Sequence, residues 1–579
     1  MLRSLAIAGL VALALPALAY GQPRELLPGV TYDRQVQFTL HGPVAVHVVT
    51  APRPGGLWSL APVLSNEQIP GTETLTAIEQ RLSPSATVVG VNGDVTASGG
   101  RPNGILMRGG ILDHKPISGR SSIGVDAAGT LRVDRLTLYG YWAGSRARRT
   151  ISLVNEPPPA EGISLYTSAW GASTPRQAGT VEAVIRPLPP VAPGPELAGP
   201  VVQLSEGGGT PIPPDGAVLV GRGSSAAAVK AEAAVGQGVT VRFVIQPDWS
   251  GVAGAIGGGP LLVRGGKAVF RSGELIPADE LALRRPRSAV GQRADGTILL
   301  ATVDGGVAGY STGMTNFELA QTLVRLGAVT GAALDSGDSA AMAFDGKLLS
   351  RPASPAGEGA VADALVVSYA GLYAPPASPA AISPNGDGQA EAETLAYKVV
   401  RPSTVTVALV GPDGVARSSA TSQAAPGTYP FQWNGLKADG TVEQEGVWRW
   451  NVSGTDDLGR SSSAERSFTL DLTLGFPKTA APALTVPRLK PRPVATFTLS
   501  RQASVTVRIE TASGVVLKRF KKITAGPGTL TVSWDGVTDS GARVYGGTYL
   551  ARTTATSPVG TVDLAAPFTV RRVPAKAAG

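Results

Sequence analysis

The sequence predicts an α+β domain built on mixed β-sheets, followed by two all-β sandwiches. Three observations predict this. Between Arg287 and Asp345 one amphipathic helix stands among short apolar strands: Thr315 caps it, Glu318 completes a capping box, Leu319, Leu323 and Leu326 share a face, and Gly327 stops it. The tail repeats itself with a period of about 100 residues and carries only short alternating strands and Gly/Asp/Asn turns. A proline-rich stretch from Ala374 to Pro379 separates the two regions.

Taken in order, residues 1–19 read as a secretory signal peptide. Arg3 precedes an apolar run from Leu5 to Leu15, and Ala17-Leu18-Ala19 forms a small-residue cleavage site. The run is shorter than the roughly 20 residues of a spanning helix, so the expectation is export, to the exterior or the cell wall, without stable membrane insertion after cleavage. The first domain is then 20–374. Val36, Phe38 and Leu40 alternate before a His41-Gly42-Pro43 turn, and Val44, Val46 and Val48 after it, which predicts a hairpin. A helix follows over 72–82 and a strand over 86–91. That strand runs into Asn92-Gly93-Asp94, where an apolar strand gives way to a polar turn and side chains are held rigidly. A strand-rich region with prolines and one alanine-rich helix near 224–235 reads as an insertion over about 141–280.

Composition narrows the chemistry. The 579 residues include no cysteine, which excludes disulfides, thiolate nucleophiles and cysteine-based zinc sites. Only His41, His47 and His114 are present and none has a metal-binding spacing, so neither metal nor cofactor is expected and each histidine reads as structural. The net charge of +8 favours an anionic partner. Its basic residues are dispersed and not interleaved with aromatics, which argues against nucleic acid and for an acidic cell-wall polymer.

The residues that carry chemistry flank the capped helix. Arg287-Ser288-Ala289-Val290-Gly291 and Val303-Asp304-Gly305 precede it, and Leu334-Asp335-Ser336-Gly337-Asp338-Ser339 follows it as a strand running into a tight acidic turn. Taken alone, such a turn is an ordinary solvated hairpin more often than a catalytic one. In this order, however, the three stretches resemble the phosphodiester glycosidase family, whose mammalian member uncovers mannose 6-phosphate. Its members carry an arginine, a small hydroxyl residue and Ala-x-Gly, then a strand ending in Asp-Gly, then Leu-Asp-Gly-Gly-Gly-Ser. The likeness covers roughly 29–369 and includes Asn92-Gly93, where the family has Asn-Gly-Gly-Phe-Phe and this chain departs at Asp94. It implies hydrolysis of a sugar-1-phosphodiester. Asp335 leads the catalytic candidates, with Asp304 or Asp338 as its partner. Arg287 would neutralise the phosphate, and Asn92, Gly93, Asp94, Ser288, Gly337 and Ser339 would complete the binding site.

The repeat spans 378–474 and 494–572. Phe431-Gln432-Trp433-Asn434-Gly435 corresponds to Val532-Ser533-Trp534-Asp535-Gly536, and Gly446-Val447-Trp448 to Gly547-Thr548-Tyr549. Both copies resemble the immunoglobulin-like domain of the flagellar hook-capping protein, which implies a spacer or attachment module. Asn385, Asp387 and Glu391 offer alternating oxygens to calcium, but without EF-hand spacing, and a structural turn is the expected role. A basic, proline-rich linker is expected over 475–493, with Lys478, Arg488, Lys490 and Arg492 available to a wall polyanion.

Two other classes stay open. Ser336 and Asp338 replace glycines of the family turn, and Asp338 would repel a phosphate, so the chain can be read as a non-catalytic glycan- or wall-binding protein. Gly337-Asp338-Ser339 with His47 is a fainter match to a serine hydrolase, lacking the G-x-S-x-G elbow.

Overall fold

The computed structural model describes residues 23–151, 153–270, 272–486 and 490–572, so the expected signal peptide lies outside the described residues. The chain divides into two compact units, Met1–Tyr369 and Ala370–Gly579. Strands make up 52% of the structure and helix 7%. The expected α+β character of the first unit is therefore present only as a few helices on β-sheets.

The main sheet of the first unit has eight strands, in the order Arg24–Leu27, Val30–Thr39, Gly42–Ala51, Ile298–Val303, Arg287–Arg293, Ala328–Ser336, Leu261–Arg264 and Lys267–Ala268. Every neighbouring pair in it is antiparallel, and the expected mixed pairing is found in the inserted region, where Leu153–Val154 runs parallel to Ile163–Tyr166. Ile298–Val303 is apolar at both parities apart from Thr302 and is buried throughout, as a central strand covered on both faces must be. One face takes the helix Asn316–Arg325, whose Leu319, Ala320 and Leu323 pack on Val44, Val46, Leu299 and Ala301. Its capping box is formed as expected, with Thr315 Oγ1 accepting from Glu318 N–H and Glu318 Oε2 accepting from Thr315 N–H.

A five-stranded sheet, ordered Lys347–Leu348, Met342–Phe344, Thr87–Asn92, Asp363–Tyr369 and Trp58–Leu64, carries the helix Leu75–Leu82. Thr74 caps that helix through Ala77 N–H, and Leu75 and Ile78 are fully buried. A second five-stranded sheet joins Ile111–His114, Leu106–Arg108, Val252–Gly257, Ser121–Asp126 and Leu131–Arg135. The inserted region forms its own eight-stranded sheet, running from Thr137–Ala143 to Gly238–Gln246, with a core around Trp142, Leu219 and Phe243 and the helix Ser224–Glu232 against it.

The second unit contains two successive pairs of sheets. The first joins a five-stranded sheet to the pair Glu393–Val399 and Gly427–Trp433 around Tyr397, Trp448, Trp450 and Phe468. The second joins a six-stranded to a three-stranded sheet around Phe497, Trp534, Tyr549 and Phe568. Trp433 closes the strand Gly427–Trp433 and Trp534 the strand Gly528–Trp534.

Two boundaries differ from expectation. The division falls after Tyr369, and Leu372 and Ala374 are buried in the first core of the second unit, so the stretch before Pro375 is packed chain and not linker. The expected 475–493 linker instead supplies strands: Leu474–Thr479 pairs with Arg492–Leu499, and Leu484–Val486 runs parallel to Thr561–Arg572. Leu484 and Val486 bury their side chains in the second core, which outweighs the proline content. The Asn385 turn is tied to backbone N–H groups. Asp387 accepts from Gln389 N–H at 2.8 Å and Phe476 N–H at 2.5 Å, while Glu391 accepts from Gly388 N–H at 2.9 Å.

Candidate active site

The main sheet brings Arg287 and Asp335 together by register. Arg287 opens its strand and pairs with Ser336 at the close of the neighbouring one. Paired residues of an antiparallel ladder project to the same face, and both side chains reach Glu280, Arg287 Nη1 at 3.2 Å and Ser336 Oγ at 2.9 Å. They line a cleft of about 460 Å³ together with Asp335, Glu280, Arg120, Arg285, Asn103 and Asn316. Alternation along a strand sends the next residue, Ser288, to the opposite face. There it is fully buried with its hydroxyl 3.3 Å from Thr302 Oγ1, which removes it from the cleft.

The five-stranded sheet supplies the other wall. Asp335 N–H donates to Gly93 carbonyl at 2.9 Å and Gly93 N–H to Asp363 carbonyl at 2.9 Å, stitching the two sheets at the Asp335 turn. Asn92 is fully buried, its amide donating to Asp335 carbonyl at 3.1 Å while its oxygen accepts from Ala341 N–H at 3.2 Å. Both ends of the amide are therefore committed to backbone, and Asn92 positions the turn. Gly93 is required for space: a Cβ there would stand 2.1 Å from Asp363 Oδ1 and 2.7 Å from its carbonyl.

Asp94 is also fully buried. It pairs with Arg120 Nη2 at 2.8 Å and accepts from Gly104 N–H at 2.7 Å. Gly257 leaves room for this carboxylate, since a Cβ there would meet Asp94 Oδ2 at 2.0 Å. Asp94 thus acts on the cleft through Arg120, whose guanidinium lines it. Asp94 N–H in turn donates to Asp363 Oδ1 at 2.8 Å. Burial, and then the nearby Asp94 charge, push the Asp363 carboxyl well above the usual carboxylate range.

Asp335 accepts from Ser336 N–H at 2.8 Å and from Ser339 hydroxyl at 2.7 Å. Burial pushes its carboxyl up; these two hydrogen bonds pull the other way, and Asp94 adds to the rise. Ser339 is thus the hydroxyl that orients Asp335. Gly337 turns the chain at φ +83°, a region that costs glycine little, and its N–H donates to Pro286 carbonyl at 3.0 Å. Asp338 is exposed and does not line the cleft.

Arg287 occupies a different role from the expected phosphate clamp. Its Nε donates to Met314 carbonyl at 3.1 Å, and Nη2 to the carbonyls of Glu280 and Leu283 at 2.8 and 2.7 Å. With Nη1 on Glu280, one N–H of the five remains. The residue fastens the short helix Ala278–Ala282 to the sheet. Arg120 and Arg285 are the guanidinia better placed for a ligand. Among the described residues Arg120 is held by Asp94 alone, and Arg285 is held by Glu280 at 2.7 Å with 39% of its side chain exposed.

Asp304 belongs elsewhere. It is buried, with Oδ2 accepting from Tyr310 hydroxyl at 2.7 Å and paired with His47 Nε2 at 2.8 Å, while Oδ1 accepts from Arg351 N–H at 3.0 Å. His47 Nδ1 lies 2.8 Å from Tyr32 hydroxyl. This network excludes Asp304 as the partner of Asp335, and it excludes the serine-hydrolase reading because both His47 nitrogens are engaged away from Ser339. Among the described residues there is no group of three or more His, Cys, Asp or Glu that could hold a metal ion.

Sequence reasoning missed Arg120, Glu280, Arg285 and Asp363. The run Arg284-Arg285-Pro286-Arg287 did mark a local concentration of charge, and Asp363 stands conspicuously before Ala364-Leu365-Val366-Val367. Arg120 and Glu280 have no comparable signal, because only the fold brings them to the turn.

Comparison with known proteins places these elements. Residues 197–368 match the phosphodiester glycosidase family model, and residues 492–558 that of the FlgD Ig-like domain. Over 99 residues the chain is 34% identical to the SPbeta prophage-derived uncharacterized protein YomE of Bacillus subtilis (strain 168), which is 17% of this chain and 15% of that protein. A crystal structure of a hypothetical protein from Synechocystis aligns at a TM-score of 0.50 and 27% identity, over 59% of this chain and 62% of that one. The catalytic domain of zebrafish N-acetylglucosamine-1-phosphodiester alpha-N-acetylglucosaminidase aligns loosely, at a TM-score of 0.32 and 13% identity, over 60% of this chain and 84% of that one. Residues 197–368, which include Glu280, Arg285, Arg287, Asp335 and Asp363, therefore carry phosphodiester glycosidase sequence, and residues 492–558 carry an Ig-like domain of the FlgD type.

Proposed function

We propose that the first unit hydrolyses a sugar-1-phosphodiester, breaking the bond between the anomeric carbon and the phosphate oxygen. The observation that carries this reading is one cleft holding the Asp335 carboxyl, raised by burial, together with the guanidinia of Arg120, Arg285 and Arg287. Water attacks the anomeric carbon and gives its proton to Asp335, while the electron pair of the breaking bond stays on the phosphate oxygen. The leaving phosphate monoester gains charge as it departs. Arg120 and Arg285 face that charge and stabilise it more in the transition state than in the ground state. Ser339 and Ser336 N–H fix the Asp335 carboxylate for the transfer. Glu280 keeps Arg285 and Arg287 in place and is the second carboxylate of the cleft.

The substrate we propose is an extracellular or cell-wall glycopolymer. The signal-like residues 1–19 and the net charge of +8 support export and an anionic partner. No helix among the described residues is long and apolar enough to cross a membrane. The β-sandwich units would then serve as spacer or attachment.

The test is Asp335→Asn on a sugar-1-phosphodiester that the wild type cleaves. Losing the base should lower kcat by about 10² or more. In the wild type, kcat should rise with pH through the elevated pKa of Asp335, because a base must be ionised, and the variant should lack that limb. Unchanged turnover in Asp335→Asn removes Asp335 from the mechanism.

A further inference from the structure

The short helix Ala278–Ala282 presents two different sides. Glu280 faces the polar cleft, whereas Ala278, Leu281 and Ala282, three and four residues apart and so on one face, line a second cavity of about 400 Å³. Its other walls include Leu262, Val269, Phe270 and Phe317, the two phenylalanine rings meeting edge to face at 5.1 Å between centroids. Pro260 and Asn316 line both cavities, so the apolar space adjoins the cleft. Asn316 is 5% exposed, and its Oδ1 is buried with no hydrogen-bond partner among the described residues. On the same segment Phe270, Leu275 and Leu283 are 69%, 82% and 43% exposed. Exposed apolar side chains gathered beside a polar site mark a surface that meets an apolar ligand.

We propose that this cavity is a subsite for an alkyl chain carried on the second ester of the phosphate, so that the substrate is an amphiphile: a glycopolymer whose terminal sugar-1-phosphate is esterified to an alkyl chain. Sugar and phosphate occupy the cleft, and the chain passes Pro260 and Asn316 into the apolar space. The subsite rests on the phosphodiester reading, because its position matters only if the cleft takes the phosphate. A chain entering it leaves water for a surface already apolar, and each methylene buried should tighten binding about fourfold until the space is filled.

The experiment is calorimetric titration of the full chain with inorganic phosphate, methyl, butyl and octyl phosphate, below the micelle concentration of the last. Affinity should be similar for the first two and rise steeply to octyl. Ala282→Asp sets a carboxylate in the cavity without disturbing the core, and Phe317→Ser removes a wall. Both should retain phosphate binding while flattening the rise, and the conserved phosphate affinity shows that the variants fold. Equal affinity for methyl and octyl phosphate, with phosphate bound, overturns the subsite alone. A rise that persists in both variants places the chain elsewhere and also overturns it. Octanol binding as tightly as octyl phosphate makes the space a general lipid pocket and breaks its link to the cleft. Failure of inorganic and methyl phosphate to bind overturns the phosphodiester reading, and the subsite with it.

Discussion

Arg287→Lys separates a structural arginine from a substrate-binding one. Arg287 is 3% exposed and makes four hydrogen bonds, three to the carbonyls of Glu280, Leu283 and Met314 and one to the Glu280 carboxylate. A lysine ammonium has three donors at a single point and cannot reach acceptors arranged around a planar fork. At least two carbonyls should lose their partner. Leaving a buried acceptor unsatisfied costs about 1–3 kcal/mol, so the loss is on the order of 2–6 kcal/mol. For a folding unit of roughly 350 residues, whose unfolding entropy is about 2.1 cal/mol/K per residue, that is a fall in Tm of about 3–8 °C. The helix Ala278–Ala282 should loosen first, and with it Glu280, so activity should fall through lost order at the cleft. The assay pairs differential scanning calorimetry with kcat and KM on an active phosphodiester. A Tm within about 1 °C of wild type, with KM raised severalfold, would refute this reasoning and return Arg287 to direct contact with the phosphate.

Three further outcomes follow from the same geometry. Gly93→Ala should destabilise the first unit by about 3 kcal/mol or more, since its Cβ would stand 2.1 Å from Asp363 Oδ1 and overpacking adds to two strained backbone hydrogen bonds; an unchanged melting curve with a raised KM would instead make Gly93 a ligand contact. Asp338→Asn should leave kcat, KM and Tm unchanged because Asp338 is exposed and outside the cleft, and a change in KM would show otherwise. In the second unit, burial pushes Glu393 up to about 7, so the fold holds its proton more tightly than the unfolded chain. Its stabilising contribution is complete below the unfolded carboxylate value of about 4.3 and is lost as pH climbs to about 7; Glu393→Gln should flatten that decline in a series of melts from pH 4 to 8, and identical profiles would show that Glu393 is ionised without cost.

Features that depend on local chemistry and periodicity can be read from the residues alone. Thr315 and Glu318 specify a capping box whichever sheet the helix packs on, and the alternating residues that lead to Trp433 and to Trp534 specify strands. The Asp335 turn was legible for the same reason, because strand, carboxylate and glycine are contiguous. Tertiary structure decided everything that depends on which residues meet across the chain. Asp94 is 26 residues from Arg120, and Asp335 is 55 from Glu280. No spacing encodes either proximity, and they arise where the main sheet meets the Gly93 strand and where the helix Ala278–Ala282 closes over it. The roles of Arg287, Asn92 and Asp304 were hidden for a related reason. A polar residue on a motif reads alike whether its donors and acceptors face a ligand or are already taken by buried backbone, and only the folded chain shows that carbonyls, amides and His47 have taken theirs.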